Sequence, residues 1–243
     1  MSNEGPKTES LGHSFDFYNE RGKEYVALNR EFYSGLSDTG RNFMRTVIRD
    51  GIEKKTIADI GCGAGDDMVA YAEMGAVKVI GIEPSHVMLE EARKLLEEKH
   101  TQAELLKGAW EQIPLPDGSV DIVTSRYSFH VQQDFDKAFQ EVARILKPSG
   151  IFLVAAPHPI HDAKVAREQN LKPGELMNVP IFNGKFVVRI PPHSMDDYLS
   201  VVNRELFELE DKLEYSMHEN PNEKEPTGIV LKFRKKDSAE TLR

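Results

Sequence analysis

One cysteine in 243 residues, Cys62, leaves no partner for an internal disulfide. That agrees with a reducing compartment, and the expected location is the cytoplasm. No apolar run approaches the roughly 20 residues needed to cross a bilayer, so no membrane segment is expected. Residues 1–14 are polar and lack the apolar core of a secretory signal; they are expected to be a flexible tail. Positive charge is also short: 31 basic side chains stand against 40 acidic ones, a net charge of -9. Such a surface repels phosphate backbones, which argues against a large nucleic-acid partner. Internal repeats and low-complexity blocks are missing too.

What is there suits one α/β domain. Hydrophobic residues make up 40% of the chain and charged residues 29%, enough for a packed core. Tyr18, Tyr25, Leu28 and Phe32, then Phe43, Met44, Val47 and Ile48, recur at helical spacing and predict two N-terminal helices, divided at Gly35 and Ser37 to Gly40. From Thr56 onward the rhythm is strand then helix. Strands are expected at Thr56–Ile60, Val77–Ile82, Ala103–Leu106, Val120–Thr124 and Ile151–Ala155, with helices at Asp66–Met74, Ser85–Glu98 and Asp134–Leu146. This alternation predicts a parallel sheet covered by helices on both faces, with Ser85 as an N-cap. The stretch Pro157–Pro192 holds six prolines, breaks the rhythm, and reads as an inserted lid with a small hairpin at Asn183-Gly184. Ser194 is expected to open a helix over Met195–Val202. Leu206–Tyr215 and Gly228–Arg234 are expected to form an antiparallel edge hairpin around the loop Asn220–Thr227, with a bulge near Asp211 and Lys212. The expected layout is a tail (1–14), a helical cap (15–50), a ligand-binding core (51–156), a lid (157–204) and a terminal strand pair (205–236).

The chemistry is concentrated in Asp59-Ile60-Gly61-Cys62-Gly63-Ala64-Gly65, between a strand and a helix. Glycines there allow a sharp turn and a close ligand approach, and the helix start offers free N–H groups. The next strand ends in Glu83, about 20 residues on, where an acid can accept hydrogen bonds from ribose hydroxyls. The spacing is Gly-x-Gly-x-Gly rather than the Gly-x-Gly-x-x-Gly built around a pyrophosphate. Asp59 beside the loop suits a ligand with an ammonium group better than one with phosphates.

Five segments in order carry a resemblance: the glycine loop; Gly81-Ile82-Glu83-Pro84-Ser85; Ile113 to Val123; Ser125-Arg126-Tyr127-Ser128-Phe129-His130; and Glu141 to Gly150. Over roughly Thr56 to Ala156 the chain resembles the class I S-adenosylmethionine-dependent methyltransferases, in particular the small-molecule branch related to quinone-biosynthesis enzymes. The resemblance implies a Rossmann-like three-layer sandwich with a seven-stranded, mostly parallel sheet and an antiparallel last strand. It implies S-adenosylmethionine as cofactor, with S-adenosylhomocysteine as product. Asp59, Gly61, Cys62, Gly63 and Gly65 would hold the methionine end, and Glu83 and Pro84 the ribose. Ala109 and Trp110 would lie beside the adenine, and Ser125 and Arg126 near the methyl group. Tyr25, on a helix that in the family folds over the cofactor, would contact its side. Members of the family often carry an acid at the position of Ala109; here Trp110 would pack on the adenine and Glu111 or Gln112 would reach its amino group.

On the acceptor side His130, Tyr127 and His193 are the candidates for positioning or proton transfer, with brace and pocket wall ahead of base for His130. Tyr127, Phe129, Phe182, Phe186 and Tyr198 suggest a compact, partly aromatic acceptor. His158, His161 and Asp162 have ligand-like spacing, but exposed lid histidines are commoner and no metal is expected. A tRNA or protein methyltransferase, a non-catalytic S-adenosylmethionine-binding protein, or a nicotinamide-dependent oxidoreductase are the competing readings.

Overall fold

The computed structural model describes residues 9–32, 38–216 and 225–237. Its centre is a seven-stranded sheet whose order follows from the strand–helix rhythm. Strands β1 (Thr56–Ile60), β2 (Lys78–Glu83), β3 (Glu104–Lys107), β4 (Val120–Arg126), β5 (Leu146–Pro157), β8 (Phe207–Tyr215) and β9 (Gly228–Lys235) lie in the order 3-2-1-4-5-9-8. The first five are parallel, and β9 runs antiparallel to both β5 and β8. The order reverses between β1 and β4, so the carboxyl ends of these strands open a crevice there.

Burial on both faces gives the central strands continuous apolar runs. Along β5, Phe152, Val154 and Ala156 join one core while Leu153 and Ala155 join the other. The first core is aromatic, with Phe129, Phe139, Phe152 and Phe233 beneath helix α5 (Phe135–Ile145). The second lies beneath α2 (Thr39–Arg49) and α3 (Asp66–Glu73), with Met44, Ile48, Met68 and Tyr71. Helix α4 (His86–Glu98) starts where Ser85 Oγ accepts the Met88 N–H at 3.2 Å, the expected cap. Asp134 caps α5 in the same way through Lys137 N–H. The expected bulge is a register shift between Leu209 and Asp211.

Several expectations change. Helix α1 spans Glu9–Phe32, so residues 9–14 belong to it rather than to a tail; once a helix is nucleated, each added residue gains a hydrogen bond. Residues 1–8, Gly35, Ser37 and most of the 220–227 loop lie outside the described residues or at their edge. Gly40 does not divide the helices: it lies inside α2, which Asp38 caps by accepting the Arg41 N–H at 2.8 Å. The proline-rich lid contains a regular helix, α6 (Pro159–Glu168), because Pro159 occupies a first-turn position where its missing N–H costs nothing and His158 Nδ1 accepts the Ile160 N–H. The lid hairpin is β6 (Met177–Ile181) with β7 (Phe186–Ile190), and its turn places Phe182, Asn183 and Gly184 at positive φ. The single helix expected after Ser194 is two short ones, α7 (Met195–Tyr198) and α8 (Val201–Leu206). Ser200 caps the second by accepting the Asn203 N–H, which ends the first.

Candidate active site

The glycine loop forms at the carboxyl end of β1. The N–H groups of Gly61 and Cys62 both donate to the Ile82 carbonyl, at 2.8 and 3.2 Å, which swings the chain toward β2. Gly61 has φ +72°, and a Cβ there would stand 1.8 Å from Ser128 Oγ. Gly65 caps α3 in the left-handed region at φ +84°, with no side chain on the first-turn N–H groups. The loop therefore ends in backbone donors that no side chain caps, the usual foundation of an anion or carboxylate site. Cys62 is buried, its thiol pushed up by burial and then by the Asp59 and Glu83 carboxylates, so it is a neutral packing residue.

Glu83 closes the loop from the neighbouring strand. Its carboxylate accepts the Gly63 N–H at 3.1 Å and the Ser85 N–H at 3.0 Å, and the residue is 7% exposed. Burial raises its pKa to about 7, against the pull of those two donors. A carboxylate held this way has lone pairs left for ligand hydroxyls. Helix α1 lies across this corner: Ser85 Oγ donates to Asn19 Oδ1 at 2.9 Å, and Tyr18 and Tyr25 meet edge-on with centroids 5.2 Å apart. Burial raises the Tyr18 phenol well above its usual pKa, with Tyr25 and Glu83 adding to it. Tyr25 also packs on Phe182 of the lid at 5.3 Å, so cap and lid meet in one aromatic group above the loop.

On the other side of the loop is a charged cluster. Asp59 is buried and accepts Thr124 Oγ1–H at 3.0 Å; burial and then Asp67 raise its pKa to about 7. A ligand ammonium beside it would restore the charge. Asp67, in the first turn of α3, is held down at about 2 by Arg126, Arg41 and Arg45 in spite of its burial. Arg126 Nε donates to Asp67 at 2.7 Å, and Arg45 donates to its other oxygen at 3.2 Å. Arg126 thus braces the start of α3 against the end of β4. Ser125 Oγ accepts the Phe129 N–H at 3.1 Å and shapes the turn after β4. Tyr127 sits at φ +54° with its hydroxyl 2.7 Å from that of Tyr215 on β8. Burial drives its phenol far above the normal range, so it acts as a hydrogen-bonding group and not as a base.

Two hollows lie at the sheet's carboxyl edge. A cavity of about 20 Å³ touches Gly61, Pro84, Ala109, Trp110, Ser128 and Gln132. A groove of about 560 Å³ runs past Trp110, Glu111, Gln132 and Asp134 to His193, so Trp110 and Gln132 line both. Trp110 is 3% exposed and packs edge-on against Phe129 at 5.0 Å, while its Nε1–H donates to Ser128 Oγ at 3.2 Å. Its ring is part of the aromatic core and only its rim faces the cavity.

The histidines converge at the far side. His193 Nε2 is 2.7 Å from the His130 carbonyl, its ring stacks on Phe135 at 4.2 Å, and its backbone N–H donates to buried Asp162 at 3.3 Å. His130 is buried, its Nδ1 has no partner, and burial followed by His193 lowers its pKa to about 3. A neutral imidazole of that basicity is a poor proton acceptor near neutral pH. Burial also lowers His193 and raises Asp162 to about 7. Among the described residues no three His, Cys, Asp or Glu side chains group as metal ligands, and no helix is long and apolar enough to cross a membrane.

The fold thus brings Asp59, Gly61, Cys62, Gly63, Gly65, Glu83 and Pro84 together, with Tyr18 and Tyr25 packed on Ala64 and Met88 beside them. Ala109 and Trp110 edge the adjoining cavity. Arg126 faces the cluster under α2, while the Tyr127 ring lies edge-on to the His130 ring at 6.4 Å. Sequence reasoning missed Asn19, Asp67, Ser128 and Gln132, and it read Asp162 as a possible metal ligand rather than as the partner of the His193 N–H. Only Asp67, an acid in the first turn of a helix, carried a local signal.

A parallel sheet of this order, a glycine turn after β1 and a buried acid closing β2 make a Rossmann-like arrangement. Residues 58–154 match the family model described as a methyltransferase domain, so the resemblance read from the five segments holds across the core. Bacillus subtilis YcgJ, an uncharacterized methyltransferase, is 38% identical over 99 residues, covering 40% of this chain and 39% of its own. The demethylmenaquinone methyltransferase of Lactococcus lactis is 36% identical over 149 residues, covering 59% and 58%. These alignments span 39% and 58% of the relatives' own length. The crystal structure of an S-adenosylmethionine-dependent methyltransferase from Mesorhizobium loti superposes with a TM-score of 0.63 at 22% identity, over 82% of this chain and all of that one, and shares the fold.

Proposed function

We propose that this protein transfers a methyl group from S-adenosylmethionine to a small-molecule acceptor and releases S-adenosylhomocysteine. The observation that carries the reading is the Glu83 carboxylate, fixed by Gly63 and Ser85 N–H groups at the mouth of a glycine turn. The residues present fit the cofactor. Glu83 can receive the ribose hydroxyls, and Asp59 the ammonium. The uncapped start of α3 and the loop amides suit the carboxylate. Ala109 and Trp110 border the space for the base, and Tyr25 joins α1 to Phe182 of the lid beside the loop. A sulfonium supplies an activated methyl group with a good leaving group. The protein's own task is then alignment and exclusion of water. Ser125 and Arg126 hold the end of β4 against α3, and α1 with the lid hairpin shields the corner. His130 and His193, neutral and buried, serve as walls and hydrogen-bonding partners on the acceptor side; Tyr127 is held in place by its hydroxyl contact with Tyr215. An acceptor handled by such residues is already nucleophilic or loses its proton late.

The small-molecule class is supported by the net charge of -9 and by relatives that include a demethylmenaquinone methyltransferase. A compact, partly aromatic acceptor matches the Tyr25, Phe182 and Phe186 group between cap and lid. A cytoplasmic location follows from the same reading. The test is to supply methyl-labelled cofactor with cell extract divided into metabolites, tRNA and protein. Label in the metabolite fraction is expected; label confined to tRNA or protein would overturn the acceptor class.

A further inference from the structure

Two glycines make room for one ring. Neither Gly40, in the first turn of α2, nor Gly228, at the start of β9, has the positive φ that calls for glycine. A Cβ on Gly40 would stand 2.6 Å from Tyr215 Cζ, and one on Gly228 would stand 2.5 Å from the same atom. Glycine weakens a helix or a strand, so its presence at both positions is explained by the ring between them. Through that gap the Tyr215 hydroxyl comes within 2.7 Å of the Tyr127 hydroxyl. The contact joins β8 to the end of β4, although β9 and β5 lie between them in the sheet. Tyr127 has φ +54°, where a bulky side chain is strained unless its surroundings hold it. Its backbone N–H donates to the Ala155 carbonyl at 2.9 Å and Arg126 stands over its ring at 5.6 Å, while Tyr215 fixes the tip of the side chain. This left-handed step sets the next residue, Ser128, against Gly61, where Ser128 Oγ accepts the Trp110 Nε1–H at 3.2 Å.

We propose that Tyr215 is a positioning residue for methyl transfer: its hydroxyl holds the strained bend at Tyr127 that carries Ser128 to the glycine turn. The claim rests on the methyltransferase reading above. Tyr215 touches neither the turn nor its ligand and acts through Tyr127. Without its hydroxyl the bend relaxes part of the time, and only the left-handed fraction is competent to bind. The strain belongs to a side chain at positive φ. Glycine at position 127 removes it, and the Tyr215 hydroxyl then has nothing to hold.

The test uses the full-length protein and Tyr215→Phe, which keeps the ring between the glycines and removes one oxygen. Trp110 is the only tryptophan in the chain, so its fluorescence reports the bend in ligand-free protein. Acrylamide quenching of Trp110 is expected to rise about twofold or more as Ser128 leaves the indole N–H. Calorimetric titration with S-adenosylhomocysteine is expected to show binding weakened about 3- to 10-fold, the worth of one neutral hydrogen bond. Tyr127→Phe removes the same bond from its other end and should match both changes. In a Tyr127→Gly background, adding Tyr215→Phe should change either reading by less than about twofold. Unchanged quenching or unchanged affinity in Tyr215→Phe would overturn the proposal. Equal effects of Tyr215→Phe in the wild-type and Tyr127→Gly backgrounds would also overturn it, because the hydroxyl would then support the fold at large and not the bend. Wild-type protein that binds no S-adenosylhomocysteine would overturn the methyltransferase reading, and the part of Tyr215 in it, whatever the quenching shows.

Discussion

The Glu83 carboxylate accepts the N–H of Gly63 at 3.1 Å, which ties the tip of β2 to the middle of the turn that follows β1. The bond couples the ionisation of Glu83 to the shape of the loop. A neutral carboxyl accepts more weakly, and one of its oxygens carries a proton.

Affinity for adenosyl ligands should therefore rise with pH. Ribose hydroxyls favour the ionised acid, and burial sets the Glu83 pKa near 7 in the free protein. Below that value the ionised fraction falls up to about tenfold per pH unit, and binding falls with it. Titrations at pH 5.5, 6.5 and 7.5, in buffers of different ionisation enthalpy, should show weakening toward acid and proton release near neutrality. Glu83→Gln should flatten the dependence.

Gly61→Ala should be poorly tolerated. Its φ of +72° strains any L side chain, and the new Cβ would stand 1.8 Å from Ser128 Oγ and 2.2 Å from Ser128 Cβ. A loss of about 2–4 kcal/mol is expected from the combined strain and overlap. Ser128→Gly in the same chain should recover the overlap part, measured by denaturant unfolding, whereas Ser128→Ala should not.

His130 gives a second pH signature, read in unfolding rather than in binding, and it too weakens toward acid. Its folded pKa lies near 3 and its unfolded one near 6.5, so from pH 6.5 downward the unfolded chain takes up a proton that the folded chain does not. Stability contributed by the neutral ring is present above pH 6.5 and lost toward pH 3, by about 1.4 kcal/mol per unit. His130→Gln should remove that slope in unfolding experiments between pH 6 and 4. An equal slope in both proteins would show that the ring is not kept neutral.

Arg126→Leu should cost about 2–4 kcal/mol, because Asp67 would keep its burial and lose its nearest cation. Arg41 and Arg45 soften the loss. Asp67→Asn in the same chain should restore part of it, and chemical denaturation of the four proteins measures the coupling.

What was legible in the chain was local. The glycine turn, the acid ending β2, the caps at Ser85 and Ser194 and the bulge near Asp211 each depend on residues a few positions apart, so short patterns exposed them. Contacts across long separations were not legible. Arg126 meets Asp67 from 59 positions away and Tyr127 meets Tyr215 from 88, and no periodicity encodes either pairing. Trp110 illustrates the limit: beside a ligand site in the motif, it is drawn into the core by Phe129 and Phe152. Helix α6 stayed hidden because prolines read as breaks, although Pro159 stands where a helix accepts one.

The most direct measurement is calorimetric titration of the folded wild type and Glu83→Gln with S-adenosylhomocysteine at pH 7.5. One-site binding by the wild type, weakened about 10- to 100-fold in the variant by loss of charge-assisted hydrogen bonds, is the expected result. Absence of heat with folded wild type, or equal affinity in both proteins, would contradict the assignment of Glu83 as the cofactor's anchor.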